Sequence, residues 1–297
     1  HHLRCNLLRS CKLCAHHSRQ CRSKSMINEL LQQEIQAISG DRHVGVLYFN
    51  DLDSFSLGCA ADLSGRQVTL HVFTLNSASS KYVEGSCAIA QKMRWQIEIH
   101  DIDTSTFFEQ IRSLFASTNL HRKTDVAMFY VASALLQKIS GLLTLCPFGL
   151  DILCGLSSSF GGLHKNNAQE FLTLRRTLLE RSDIAENCIA LQTGAKQTFF
   201  APYAQSQVLI DHFLGQDWRT LNMDSDCSRV QLKSAVRRAF QAQICSAGTI
   251  DTHSNAFKSS GLNSLIDEVI KNKSVNFRER RKLSEILIDW RIKRAHP

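Results

Sequence analysis

The residues of this chain best placed to do chemistry are Asp53 and Ser54, a carboxylate and a hydroxyl that follow the apolar run Val44-Gly45-Val46-Leu47-Tyr48-Phe49 across a short break, Asn50-Asp51-Leu52. A run that is apolar at nearly every position reads as a strand buried on both faces, the pattern of a parallel sheet. Whatever follows such a strand lies at its carboxyl end, where ligands of open α/β sheets collect. Residues 55–63 then read as a helix: Gly58, Cys59, Ala60 and Ala61 are small enough for close packing on a sheet, and Ser64-Gly65 supplies a stop. Asp53 and Ser54 therefore carry two readings, as groups facing a ligand and as an N-cap pair for that helix.

A second grouping stands at the front of the chain, Cys5-x5-Cys11-x2-Cys14-x6-Cys21, with His16 and His17 inside it. Four soft ligands so close together, one pair at Cys-x-x-Cys spacing, suit tetrahedral Zn²⁺ or an iron–sulfur cluster. The Cys-x5-Cys interval matches no common zinc ribbon, and the alternative is a reduced arm that holds no metal. The 11 cysteines are an odd number, and Cys59, Cys87, Cys146, Cys154, Cys188 and Cys245 fall in apolar or helical patterns, so no disulfide framework is expected.

The elements that must position Asp53 and Ser54 follow from periodicity. Residues 67–75 form a second apolar strand, 81–93 a helix, and 95–103 alternate as a strand near a sheet edge does. An apolar helix is expected over 126–139, a strand over 142–146, and an amphipathic helix over 25–38 that joins the cysteine arm to the sheet. The fold class is α/β, a three-layer nucleotide-binding fold with a parallel sheet over 26–162. A mostly helical region follows over 163–297, with 157–162 as a linker or lid and 1–25 as the cysteine-rich arm. At 297 residues and 43% hydrophobic content the chain has material for a substantial core. No apolar run is long enough to span a bilayer, and the first 25 residues are too rich in Arg, Lys and Cys for a secretory signal, so a cytoplasmic setting with no membrane partner is expected. The formal charge of +8 is concentrated at the end, where nine Lys or Arg face three acids from Lys271 onward. That basic C-terminus reads either as a nucleic-acid contact or as the solvated face of a helix whose apolar side is Leu283, Ile286, Leu287, Trp290 and Ile292.

The order of strand, Asp-Ser loop, helix and strand, continued by Glu84, Ala88, Ala90 and Trp95 into Ile99-His100-Asp101-Ile102-Asp103, resembles the synthetase domain of asparagine synthetases. That family belongs to the ATP pyrophosphatase group and is similar to the adenine nucleotide alpha hydrolases. The likeness continues at Gly149-Leu150-Asp151-Ile152-Leu153-Cys154-Gly155, which stands where the family has Gly-x-x-Asp-Glu-x-x-Gly-Gly. It runs on through 181–187, Phe200-Ala201-Pro202-Tyr203, and Lys233 within 231–238, covering about 40–260.

The resemblance implies an ATP-dependent, AMP-forming ligase or amidotransferase that adenylates an acceptor and then makes an amide or C–N bond. It implies Asn50 and Ser54 on pyrophosphate, Leu75 backbone groups on adenine, Asp53 and Asp151 on Mg²⁺, and Lys233 neutralising charge in the transition state. The acceptor is a small molecule or a macromolecule, and the nitrogen comes from free ammonia, an amine or a separate donor protein. Two departures fall on the chemistry. The family's Ser-Gly-Gly-x-Asp-Ser loop is Phe49-Asn50-Asp51-Leu52-Asp53-Ser54 here, and Ile152 replaces a Glu. Asn50 tolerates the backbone angles of glycine. Asp51 sets a carboxylate against a triphosphate, a repulsion of about 1 kcal/mol in water and several in a drier site unless a metal bridges them. The other readings are a catalytically lapsed nucleotide-fold scaffold and a nucleic-acid-modifying member of the same group.

Overall fold

The structure is a computed structural model, and it describes residues 26–40, 43–78, 80–118, 120, 123–141, 143–156, 167–194, 198–248 and 256–271. Cys5, Cys11, Cys14 and Cys21, the expected lid at 157–162 and the basic segment after Lys271 lie outside the described residues.

Helix α1 (Met26–Ile38) leads into strand β1 (His43–Leu47), helix α2 (Leu52–Leu63), strand β2 (Gln67–Leu75), helix α3 (Lys81–Met93) and strand β3 (Gln96–Ile102). Two helices, α4 (Phe107–Ser117) and α5 (Lys123–Leu136), carry the chain back to β4 (Leu143–Leu145) and the one-turn helix α6 (Leu150–Leu153). Then come α7 (Ala168–Ser182), α8 (Ile184–Gly194), strand β5 (Phe199–Phe200), α9 (Pro202–Gln205), α10 (Gln207–Leu214) and α11 (Trp218–Asn222). Finally come α12 (Ser234–Ala239), α13 (Gln241–Ala247), α14 (Ala256–Ser259) and α15 (Leu262–Lys271).

All strand pairings are parallel and the order is β3-β2-β1-β4-β5. The chain builds outward from β1 through β2 to β3, then returns past β1 to lay down β4 and β5. The sense of travel therefore reverses between β1 and β4, the place where an open parallel sheet leaves a crevice at its carboxyl end. Strand β1 is central and buried beyond its first residue, as its apolar run requires, while β3 is the edge and is largely exposed. The fold is thus an α/β protein with a five-stranded parallel sheet flanked by helices, as expected.

Helix α2 is buried from Leu52 to Ala61. Its small residues have the packing role expected of them: a Cβ on Gly58 would stand 2.9 Å from the Trp95 ring, which also packs on Phe55 with ring centroids 5.8 Å apart. The helix ends where Gly65 takes φ +79, with Arg66 N–H donating to Ala61 O at 3.0 Å.

The fifth strand, two residues long, comes from the mostly helical stretch and pairs with β4 through Thr144↔Phe199, so the sheet takes a strand from beyond residue 162. The helices around it are tied to the sheet by Arg175, whose side chain is buried. Its guanidinium donates to the carbonyls of Leu153, Phe213, Leu214 and Gln216 at 2.7–3.1 Å and lies 4.0 Å above the Phe171 ring. Burial lowers its pKa to about 10, which leaves it charged at neutral pH.

The described cysteines are free thiols, and no helix among the described residues is long and apolar enough to cross a membrane. Replacing Arg175 by Met should leave four buried carbonyls without their donor and cost at least about 3 kcal/mol of stability. Urea denaturation will show it as a lowered midpoint, and Arg175→Lys should recover only part of the loss.

Candidate functional site

The loop after β1 is shaped by its own polar groups. Asn50 adopts φ +56 and is buried, seated where a Cβ on Gly85 would meet its Nδ2 at 2.6 Å. Asp51, rather than Asp53 or Ser54, is the N-cap of α2: its Oδ1 accepts from Ser54 N at 2.9 Å and from Ser54 Oγ at 2.6 Å. Ser54 Oγ also accepts from Phe49 N at 3.2 Å and is fully buried, so the hydroxyl is enclosed by the loop.

With the cap supplied by Asp51, the Asp53 side chain is free to turn toward the switch point, where it meets Lys233. The Lys233 ammonium bonds Asp53 Oδ1 and lies 2.7 Å from Asp151 Oδ1. Asp53 follows β1, Asp151 follows β4, and Lys233 begins α12, 180 residues beyond Asp53. Three residues that the sequence singled out thus meet at the β1–β4 boundary. The Asp53 and Lys233 side chains are nearly covered, whereas Asp151 is 63% exposed and forms the solvent side of the cluster. Leu75 stands apart at the end of β2, where its carbonyl closes a turn by accepting from Ala78 N at 3.0 Å.

Distant segments hold the cluster in place. Lys233 has φ +57, a left-handed backbone that a β-carbon disfavours. Its N–H donates to Asn222 Oδ1 at 3.0 Å, and the Asn222 amide donates in turn to Cys154 O at 2.6 Å. Arg175 takes the adjacent Leu153 carbonyl, so the end of the turn bearing Asp151 is capped from two helices. On the other side Ser56 Oγ donates to Asp53 O at 2.8 Å and shares a 2.7 Å hydrogen bond with Tyr203 Oη. Gly149, at φ +101, passes so close to α9 that a Cβ would meet Tyr203 O at 2.8 Å. Asn222 and Tyr203 were not singled out by sequence, where a buried Asn in a short helix carries no periodic signal. Tyr203 was seen only as part of Phe200-Ala201-Pro202-Tyr203.

The electrostatics follow from this enclosure. Burial pushes the Asp53 carboxyl up to about 8, with Asp151 and Asp51 adding to the rise against the pull of Lys233. Burial alone would lower Lys233, but Asp151, Asp53 and Asp51 together hold its ammonium well above the ordinary lysine value. Lys233 is therefore charged throughout the neutral range, and Asp53 is the member that titrates. Arg237 also lies within electrostatic reach of Asp53.

No protein-family model matches the chain. No curated protein matches it in sequence. Among solved structures, an NH3-dependent NAD synthetase from Campylobacter jejuni subsp. jejuni NCTC 11168, in complex with the nitrate ion, is similar over 76% of this chain and 95% of that chain, with 11% sequence identity and a TM-score of 0.32.

Because Asp53 binds its proton more tightly in the folded chain than at its unfolded value near 3.8, its contribution to stability is complete below that value and lost as pH rises through about 8. Native stability should fall between roughly pH 4 and 8. Asp53→Asn should flatten that decline in urea midpoints taken across the range, and an unaltered slope in the variant would sink the assignment.

Proposed function

We propose that the crevice between β1 and β4 binds a magnesium nucleotide and that the protein is an ATP-dependent adenylating ligase, asparagine synthetase-like in forming an amide or C–N bond. One observation carries this reading: two carboxylates, from the first turns of the helices that follow β1 and β4, reach the same ammonium nitrogen. Side chains that converge on one cation in this way suit a second, harder one, since oxygen donors on one or two carboxylates are what Mg²⁺ takes from a protein while keeping water and phosphate oxygens. When bound there, Mg²⁺ would supply charge neutralisation and a fixed geometry for the pyrophosphate.

The chain's own residues then have distinct tasks. Lys233, displaced from between the carboxylates, turns its ammonium to the α-phosphate, where negative charge builds as an acceptor carboxylate oxygen attacks phosphorus. The bond from the α-phosphorus to the bridging oxygen breaks and pyrophosphate leaves with its electron pair. Attack of a nitrogen nucleophile on the acyl carbon next expels AMP, the nitrogen losing its proton to solvent or to Asp151, the exposed carboxylate. The acceptor, small or macromolecular, and the separate source of nitrogen belong to this proposal alone.

A second reading has its own support. Asp51 already places a carboxylate on the N-terminal N–H of α2, the position that an incoming phosphate would use, which suits a nucleotide-fold protein that has given up catalysis and serves as a binding or scaffold subunit.

Calorimetry separates the two. With three carboxylates in the crevice, ATP should bind only with Mg²⁺ present and be lost on chelation, and Asp151→Asn should weaken it about tenfold or more. Lys233→Met should lower substrate-dependent ATP–pyrophosphate exchange by about 100-fold or more while leaving ATP binding measurable. Absence of ATP uptake with Mg²⁺ present favours the scaffold.

A further inference from the structure

A separate constellation lies on the β2–β3 side of the sheet. The parallel register sets His71 beside Glu98, and His100 lies two residues farther along β3, so the three side chains share one sheet face. His71 Nδ1 is 3.0 Å from His100 Nε2 and 3.5 Å from Glu98 Oε2, and His100 Nε2 is 3.7 Å from the same carboxylate oxygen.

A tetrahedral ion that holds its ligands at about 2.0–2.1 Å spaces the donor atoms about 3.3 Å apart, a value these three separations straddle. Hydrogen bonding accounts for the imidazole pair alone. The carboxylate stands at longer range from both rings than an ordinary hydrogen bond, yet all three donor atoms fall within one coordination sphere.

The donors are in the right state. Burial, with help from His100 and His43, lowers His71 to about 3. Burial likewise lowers His100 against the pull of Glu98. Both rings are neutral at pH 7 and offer lone pairs, the form in which imidazole ligates. His71 is completely buried and rigidly placed over Gly45, where a Cβ would come within 2.6 Å of its Nε2. Glu98, on the edge strand, is 56% exposed and gives the group its opening to solvent.

We propose that His71 Nδ1, His100 Nε2 and Glu98 Oε2 bind a divalent transition-metal ion, Zn²⁺ foremost, with water as the fourth ligand. Two imidazoles and one carboxylate are a donor set that suits zinc and leaves a position open. The His71 Nε2 atom has no hydrogen-bond partner, and seating the metal on Nδ1 leaves a proton there unpaired. That defect weakens binding by about 10- to 100-fold relative to a site with a satisfied second nitrogen, giving affinity in the micromolar range.

The test is a titration of the full chain with Co²⁺, followed by competition with Zn²⁺. Site occupancy should give the visible absorption of tetrahedral cobalt without thiolate charge transfer. Any loading of the N-terminal cysteines shows thiolate charge transfer and is scored separately. His100→Gln and Glu98→Gln should each weaken the nitrogen–oxygen signal about tenfold or more, and Glu98→Gln, being exposed, should keep the parent urea midpoint. Failure to take up Co²⁺ or Zn²⁺ in the nitrogen–oxygen mode, or uptake unchanged by both substitutions, overturns the proposal.

Discussion

The geometry of the crevice depends on one ammonium group. Without Lys233, Asp53 and Asp151 would face each other across the β1–β4 boundary with nothing to oppose the burial and the neighbouring negative charge that drive the Asp53 carboxyl toward its protonated form. The lysine opposes both and joins three chain segments that the sheet alone does not connect: the start of α2, the turn at α6 and the start of α12. It does so from a left-handed backbone that would relax elsewhere and is held by the Asn222 side chain. A strained residue that survives because its surroundings over-determine it belongs more naturally to a site than to a surface.

The same contacts explain why the helical segments cannot be treated as an independent layer. The α6 turn is only four residues long and could not hold Asp151 in place through its own hydrogen bonds. Its last carbonyls are taken instead by Arg175 and Asn222, from helices that follow β4 in the chain, and Arg175 also gathers the carbonyl end of α10. Asp53 is braced likewise through Ser56 and Tyr203. Sheet and helices therefore share one polar framework, and β5 extends that union into the sheet itself.

Much of the frame was legible from residue order. The apolar runs of β1 and β2, the alternation of β3 and the small-residue face of α2 each reflect a local period or volume that burial imposes, and the structure places them accordingly. Asn50 likewise stood out as tolerant of a left-handed backbone and adopts φ +56. Contacts decided over long separations were hidden. A two-residue strand such as β5 is too short for any period. Asp51, Asp53 and Ser54 are all competent N-caps, and residue type alone does not choose among them; Asp51 caps the helix while Asp53 pairs with Lys233, far along the chain. His71 did leave a trace as a titratable residue within the buried strand β2, and Glu98 and His100 are spaced to share a face, but only the β2–β3 register brings the three together.

Asp51 sets the remaining balance. Its carboxylate occupies the positive end of α2 by accepting from Ser54 N, so a phosphate arriving at that helix meets an anion already in place. The cap itself is worth about 1 kcal/mol, which a well-bound nucleotide can overcome. The charge is the greater obstacle, because displacing Asp51 leaves a third carboxylate beside Asp53 and Asp151 with Lys233 shared among them. The proposed divalent cation would resolve both difficulties at once, pairing with carboxylates and phosphate together and releasing the lysine. On the proposed reading, an anion in the crevice would therefore be recognised through a bridging metal rather than through the backbone N–H groups that Asp51 already occupies.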